Sequence, residues 1–164
     1  MTPELTYLAY TIVLYFVIIL IQASAGIRQH GGLTLANSRD NLPPANVYLA
    51  RAKRNVDNTR ENLWLFAPGV LIAAIAGINN QWTVLGAQIF FFARLAYSIV
   101  YLAGWPIIRP LIWATGVAGC VLIYLAIFGI LFPAIVGGLV MYSLAQAARE
   151  HQENLDDLDG VESR

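Results

Sequence analysis

Long apolar runs separated by short polar stretches make up most of the chain, and their lengths set the first expectations. Leu5 to Ile27 is one such run, with Gln22 its most polar side chain. It exceeds the roughly 20 residues that a helix needs to cross a bilayer core. Gly31-Gly32, Ala36-Asn37-Ser38-Arg39-Asp40-Asn41 and Pro43-Pro44 follow, rich in turn formers and without a sustained period, and read as an exposed loop. From Ala45 a helix restarts, and its charged first part passes without a break into Leu63-Trp64-Leu65-Phe66 and on to Ile78. That helix enters the membrane partway along its length, and Pro68 is tolerated as a kink because neighbouring helices can satisfy the freed carbonyl. Asn79-Asn80-Gln81 is a short turn before the apolar run Trp82 to Trp105, which Gly104-Trp105-Pro106 closes.

The final run, Leu111 to Ala148, carries no charge. As one helix it would reach about 57 Å at about 1.5 Å per residue, against a hydrocarbon core of about 30 Å, so it must tilt, kink or project beyond the bilayer. Phe132-Pro133 and Gly137-Gly138 mark the kink. The pattern therefore predicts an all-α membrane protein, a four-transmembrane-helix bundle forming a single domain over residues 1–148. Its spans lie at about 5–27, 62–78, 82–105 and 110–132, the last with a helical extension to 148. Residues 28–45 form a loop, and residues 149–164 an acidic tail that frays beyond the helix end.

Composition supports this class. Of 164 residues 58% are hydrophobic and 12% charged, far from the shares of a soluble domain. The formal net charge is zero, but the charges are sorted. Arg28, Arg39, Arg51, Lys53, Arg54 and Arg60 fall between the first two apolar runs, and Glu150, Glu153, Asp156, Asp157, Asp159 and Glu162 crowd the tail. The positive-inside rule puts residues 28–61 and 104–109 in the cytoplasm and, with an even number of spans, both termini on the opposite side. Ala23-Ser24-Ala25 is similar to a signal cleavage site, but the acidic, base-free start at Met1 to Glu4 and the length of the run from Leu5 favour a retained span. Cys120 is the only cysteine; it excludes a disulfide within the chain and a cysteine-rich metal site, and reads as a small buried hydrophobe. No phosphate loop, nucleophile–base triad, metal spacing or nucleic-acid-binding basic stripe occurs. His30 reads as a loop histidine, the four tryptophans as interfacial or packing residues, and Gly116, Gly119, Gly137 and Gly138 as points of close helix approach.

Charges at membrane depth are expensive and mark sites. On a helix, Arg54, Asn58 and Glu61 stand at i, i+4 and i+7 and share a stripe, as do Arg94, Tyr97 and Tyr101 at i, i+3 and i+7. The structural alternative is that Glu61 and Arg94 neutralise each other between packed helices, with the tyrosines in an interfacial belt. Together the stripes hold guanidinium forks for carboxylates, a carboxylate for an ammonium, and amide and phenol groups for amides. Glutathione carries all of these partners.

The segment from Arg51 to Glu61, followed by Phe66, resembles the second-helix signature of the MAPEG family, the membrane-associated proteins in eicosanoid and glutathione metabolism. Phe92-Ala93-Arg94-Leu95-Ala96-Tyr97 with Tyr101 resembles its third-helix signature. The resemblance implies a homotrimer, with glutathione as co-substrate bound between subunits near the cytoplasmic side and a lipid-facing cleft for an apolar electrophile. It implies Arg28, Arg51, Arg54, Asn58, Glu61, Arg94, Tyr97 and Tyr101 as glutathione contacts. Arg109 is similar to the family arginine that stabilises the thiolate, one residue farther from Arg94, with Trp105-Pro106 absorbing the difference. Asn62 stands where animal members often carry tyrosine.

The expected function is a metal-free glutathione transferase or peroxidase. A cation near the sulfur lowers the thiol pKa, and the thiolate attacks a hydrophobic substrate from the bilayer. Two alternatives are a MAPEG-like lipid-binding or scaffold protein without turnover, and a small channel or transporter with Arg94 and Glu61 along a polar path. Partners are further copies of the chain, membrane lipids and a hydrophobic small molecule, with no nucleic acid.

Overall fold

Thr2 and Pro3 start the first helix, α1 (Pro3–His30): the Thr2 hydroxyl accepts from the Leu5 amide at 3.4 Å, and proline occupies the first turn, where no amide is needed. The chain, described here by a computed structural model, is defined over residues 1–39, 41–105 and 107–162, with the side chains of 130–140, 144, 147–148 and 150–162 outside that description. Four further helices follow: α2 (Gly32–Ala36), α3 (Val47–Ile75), α4 (Gln81–Ala103) and α5 (Arg109–Glu162). Two compact units result, Met1–Ile127 and Phe128–Arg164. The described part of the second is the remainder of α5, to Glu162, and the kink expected at Phe132-Pro133 and Gly137-Gly138 falls on side chains outside the description. The acidic segment read as a frayed tail is continuous with α5 as far as Glu162.

Glycine and asparagine set the helix ends more sharply than the apolar runs suggest. The Asn46 side chain caps α3 by accepting from the Leu49 amide at 2.8 Å. Asn80 and Thr83 form a reciprocal capping box at the start of α4. Gly77 and Gly104 take positive φ of 68° and 86°, a backbone state that side chains disfavour, and so stop α3 and α4 ahead of Ile78 and Trp105. Within the stretch read as a loop over 28–45, α1 continues to His30, Gly31 (φ 82°) breaks the helix, and one further turn forms as α2. Gln29 ties this excursion shut: its Nε2 donates to the Pro44 carbonyl at 2.8 Å and its Oε1 accepts from the Asn46 amide at 2.9 Å.

Among the described residues, three helical segments are long and apolar enough to cross a membrane: α1, α4 and Arg109–Gly129 of α5. Such a set of segments is that of an integral, multi-pass membrane protein. The charged half of α3, Arg51 to Glu61, keeps that helix out of the set.

In the first unit α1 packs on α3 and α4, and α3 on α4. Among apolar side chains hydrophobic transfer gives little net drive within lipid, so close fit decides. Phe66 and Phe90 stack with ring centroids 3.9 Å apart and planes 10° from parallel. At Gly86 and Gly119 the backbones of α4 and α5 nearly touch; a Cβ on Gly86 would stand 2.6 Å from the Gly119 carbonyl oxygen, and one on Gly119 2.7 Å from that of Gly86. The ring of Tyr124 fills the space beside Gly69, and its hydroxyl donates to the Leu65 carbonyl at 2.8 Å, next to the carbonyl that Pro68 leaves free. Thr83 bonds to the buried Glu4 carboxyl, linking α1 to α4.

Candidate functional site

Because α3 and α4 run antiparallel, each step into the bundle on α3 meets a step back along α4. At the outermost level Arg54 Nε donates to the Tyr101 hydroxyl at 3.1 Å. Beside it the Ser98 hydroxyl lies 3.4 Å from Asn55 Oδ1, and one turn deeper on α3 Arg94 Nη1 donates to Asn58 Oδ1 at 3.1 Å. Deeper still, the phenylalanine stack closes the interface.

Arg94 is 1% exposed, the largest fully buried side chain among the described residues. Besides Asn58, its Nη2 donates to the Trp113 carbonyl at 3.3 Å, and its guanidinium carbon lies 5.1 Å from the Tyr97 ring centroid and 5.6 Å from that of Phe90. Its Nε has no partner among the described residues. Gly116 makes this placement possible, since a Cβ there would stand 2.5 Å from Nη2. A charge so enclosed needs acceptors and polarisable faces around it, and one amide, one carbonyl and two rings supply them.

Asn62, buried on the next turn of α3, donates from Nδ2 to the Asn58 carbonyl at 2.7 Å and approaches Asn58 Oδ1 at 3.4 Å. The acceptor end of the Asn58 amide is thus engaged twice, leaving its amino group as a donor.

Asn58, Tyr97, Tyr101, Arg109, Pro110 and Trp113 line an open cleft of about 380 Å³. The Arg109 guanidinium lies over the Tyr101 ring at 4.9 Å, its Nε donating to the Trp105 carbonyl at 3.0 Å. The Tyr97 and Tyr101 rings are 5.3 Å apart. Tyr101 therefore carries one guanidinium on its face and another on its hydroxyl.

Six of the nine residues singled out from the sequence converge here: Arg54, Asn58, Arg94, Tyr97, Tyr101 and Arg109. Three do not. Glu61 is exposed and has no bond to Arg94, whose partners are neutral oxygens. Arg28 is exposed at the end of α1, and Arg51 lies against Gly104. Trp113, read from sequence as a packing residue, contributes its carbonyl and lines the cleft; its place one turn after Arg109 was the available signal. Asn55, Ser98 and Asn62 form the supporting layer. Among the described residues no group of three or more histidine, cysteine, aspartate or glutamate side chains could hold a metal ion, and Cys120 is buried away from the cleft lining.

Comparison with known proteins gives one result at the level of family. The sequence model of the MAPEG family matches residues 5–129, which contain every element of the cleft. No curated protein and no solved structure matches.

Proposed function

Since the chain belongs to the MAPEG family, we propose that it is a membrane-embedded glutathione transferase or peroxidase that activates the glutathione thiol for attack on hydrophobic electrophiles. The observation that carries this reading is the convergence of Asn58, Tyr97, Tyr101 and Arg109 on one open cleft, with Arg54 bonded to the Tyr101 hydroxyl beside it and Arg94 buried behind Asn58. The lining residues include no carboxylate. Such a cleft suits an anionic tripeptide: Arg54 offers a fork to a carboxylate, the free amino group of Asn58 and the phenols meet amides, and Arg109 faces the thiol.

A guanidinium beside sulfur stabilises the thiolate over the thiol. The thiol proton leaves to water, the sulfur forms a bond to an electrophilic carbon, and the leaving group departs with its electron pair. With a hydroperoxide, sulfur bonds to the terminal oxygen as the O–O bond breaks, the alkoxide leaves with the electron pair and takes a proton from water to become the alcohol, and a second glutathione converts the sulfenic acid to disulfide and water. Arg109 acts at the sulfur, while Arg94 orients Asn58 from behind without reaching substrate.

In this reading α3 is the fourth span, its charged half at the cytoplasmic surface. Three copies assemble so that Arg28 and Glu61, exposed on one protomer, reach a neighbour's cleft. The exposed apolar side chains of α1, among them Ile12, Val13, Phe16 and Leu20, are available for lipid or subunit contact.

Calorimetry and thiolate absorbance, followed together in detergent, test the assignment. Arg54→Ala should weaken glutathione binding about tenfold or more, as loss of a charge-assisted bond implies. Arg109→Ala should lower the thiolate fraction more than it lowers affinity. Undiminished binding and thiolate in both variants would remove the site. Binding without any thiolate in the parent protein would favour the non-catalytic alternative.

A further inference from the structure

A second cavity, of about 470 Å³, opens where α1, α2 and the start of α3 meet, and it shares no lining residue with the glutathione cleft. Its wall is apolar at Gly26, Ile27, Leu35 and Leu49, and its described cations are Arg39 and Lys53. Arg39 is held in place by its own helix end: Nε donates to the Leu35 carbonyl at 2.8 Å, leaving the two terminal nitrogens without a partner among the described residues. Ile27, 54% exposed, carries the apolar wall out to the surface, and Leu42 adds to the lining that holds these charges. That mixture is the signature of the zone where acyl chains give way to headgroups. The Gln29 clamp fixes the distance between the walls.

We propose that this cavity is a binding site for an anionic phospholipid, with the phosphate between Arg39 and Lys53 and the first acyl segment against Ile27 and Leu35. Basic pockets between membrane helices near the surface recognise anionic headgroups through charge, and the apolar wall discriminates a lipid from a free anion. The inference depends on α1 lying in the membrane and not on glutathione binding.

Native mass spectrometry of the full chain, released from mixed micelles of phosphatidylglycerol and phosphatidylcholine, tests it. The parent protein should retain phosphatidylglycerol in preference. The double variant Arg39→Gln/Lys53→Gln should reduce retention by roughly 10- to 30-fold. Gly26→Leu should do the same with every charge kept, because a Cβ there meets only ordinary contacts, the nearest Leu35 Cδ1 at 3.5 Å, and the larger side chain enters the cavity. Unchanged far-ultraviolet dichroism and elution of the Gly26→Leu protein would show that blocking, not unfolding, causes the loss. Three results would overturn the proposal. The first is equal retention of the two lipids; the second is an equal loss in Arg60→Gln, whose side chain pairs with Asp57 at the surface instead. The third is displacement of the lipid by millimolar inorganic phosphate, which would make the cavity a free-anion site.

Discussion

Arg94 holds a full charge inside the protomer with no carboxylate bonded to it, so its stability depends on geometry more than on ion pairing. Each donor it places is aimed by something small or fixed: Gly116 gives it room, the Trp113 carbonyl is pinned within α5, and Asn62 holds Asn58 in register. Gly116→Ala puts a methyl group where Nη2 stands. It should cost about 1–3 kcal/mol, typical of overpacking, and should weaken glutathione binding with it, because Asn58 loses its anchor; denaturation in micelles and calorimetry read the two effects. Arg94 and the tyrosines were legible in the sequence because ionised or phenolic groups stand out in an apolar run. The Trp113 carbonyl was not, since every residue carries a carbonyl and only the crossing of α4 and α5 selects this one. Glu61 was legible as a member of the Arg54–Asn58 stripe but not in its setting: its side chain is exposed on the protomer, and stripe spacing alone does not distinguish a buried partner from a surface position.

At the level of elements, the match between α3 and α4 turns two helical stripes into a cleft, and a glycine crossing fixes α5 beside them. Gly86 and Gly119 are within a methyl group's width of each other's carbonyls, so Gly86→Ala should separate α4 from α5 and lower stability by about 1–3 kcal/mol. Gly129→Ala, on the same α5 and with nothing within 4 Å of the added Cβ, should be neutral or slightly stabilising through helix propensity. Equal losses at both positions would remove the crossing as the cause. The order of the long helices could be read from hydropathy, and Gly116 and Gly119 from their small size. The ends of α3 and α4 could not, because the apolar runs continue past Gly77 and Gly104, and only backbone conformation stops the helix there. The extra turn at α2 was hidden by the density of glycine, asparagine and proline around it.

For the whole molecule, the membrane class followed from composition alone, and membership of the family from two short motifs. Subunit number lies beyond periodicity, since an apolar helix face looks the same toward lipid as toward another subunit. In the proposed trimer, cysteines placed at Arg28 and at Asn58, which lines the cleft, of a Cys120→Ser background should cross-link between chains, and denaturing electrophoresis should show a ladder ending at three. A ladder ending at two would change the assembly and with it the route by which Glu61 reaches a site. The clasp that Gln29 forms across the mouth of the first connection has another consequence. With both ends of that connection already fastened, the covalent link between them is dispensable. A gene interrupted within residues 37–43 should yield two polypeptides that find each other in the bilayer and co-purify, whereas the same interruption carrying Gln29→Ala should give fragments that part.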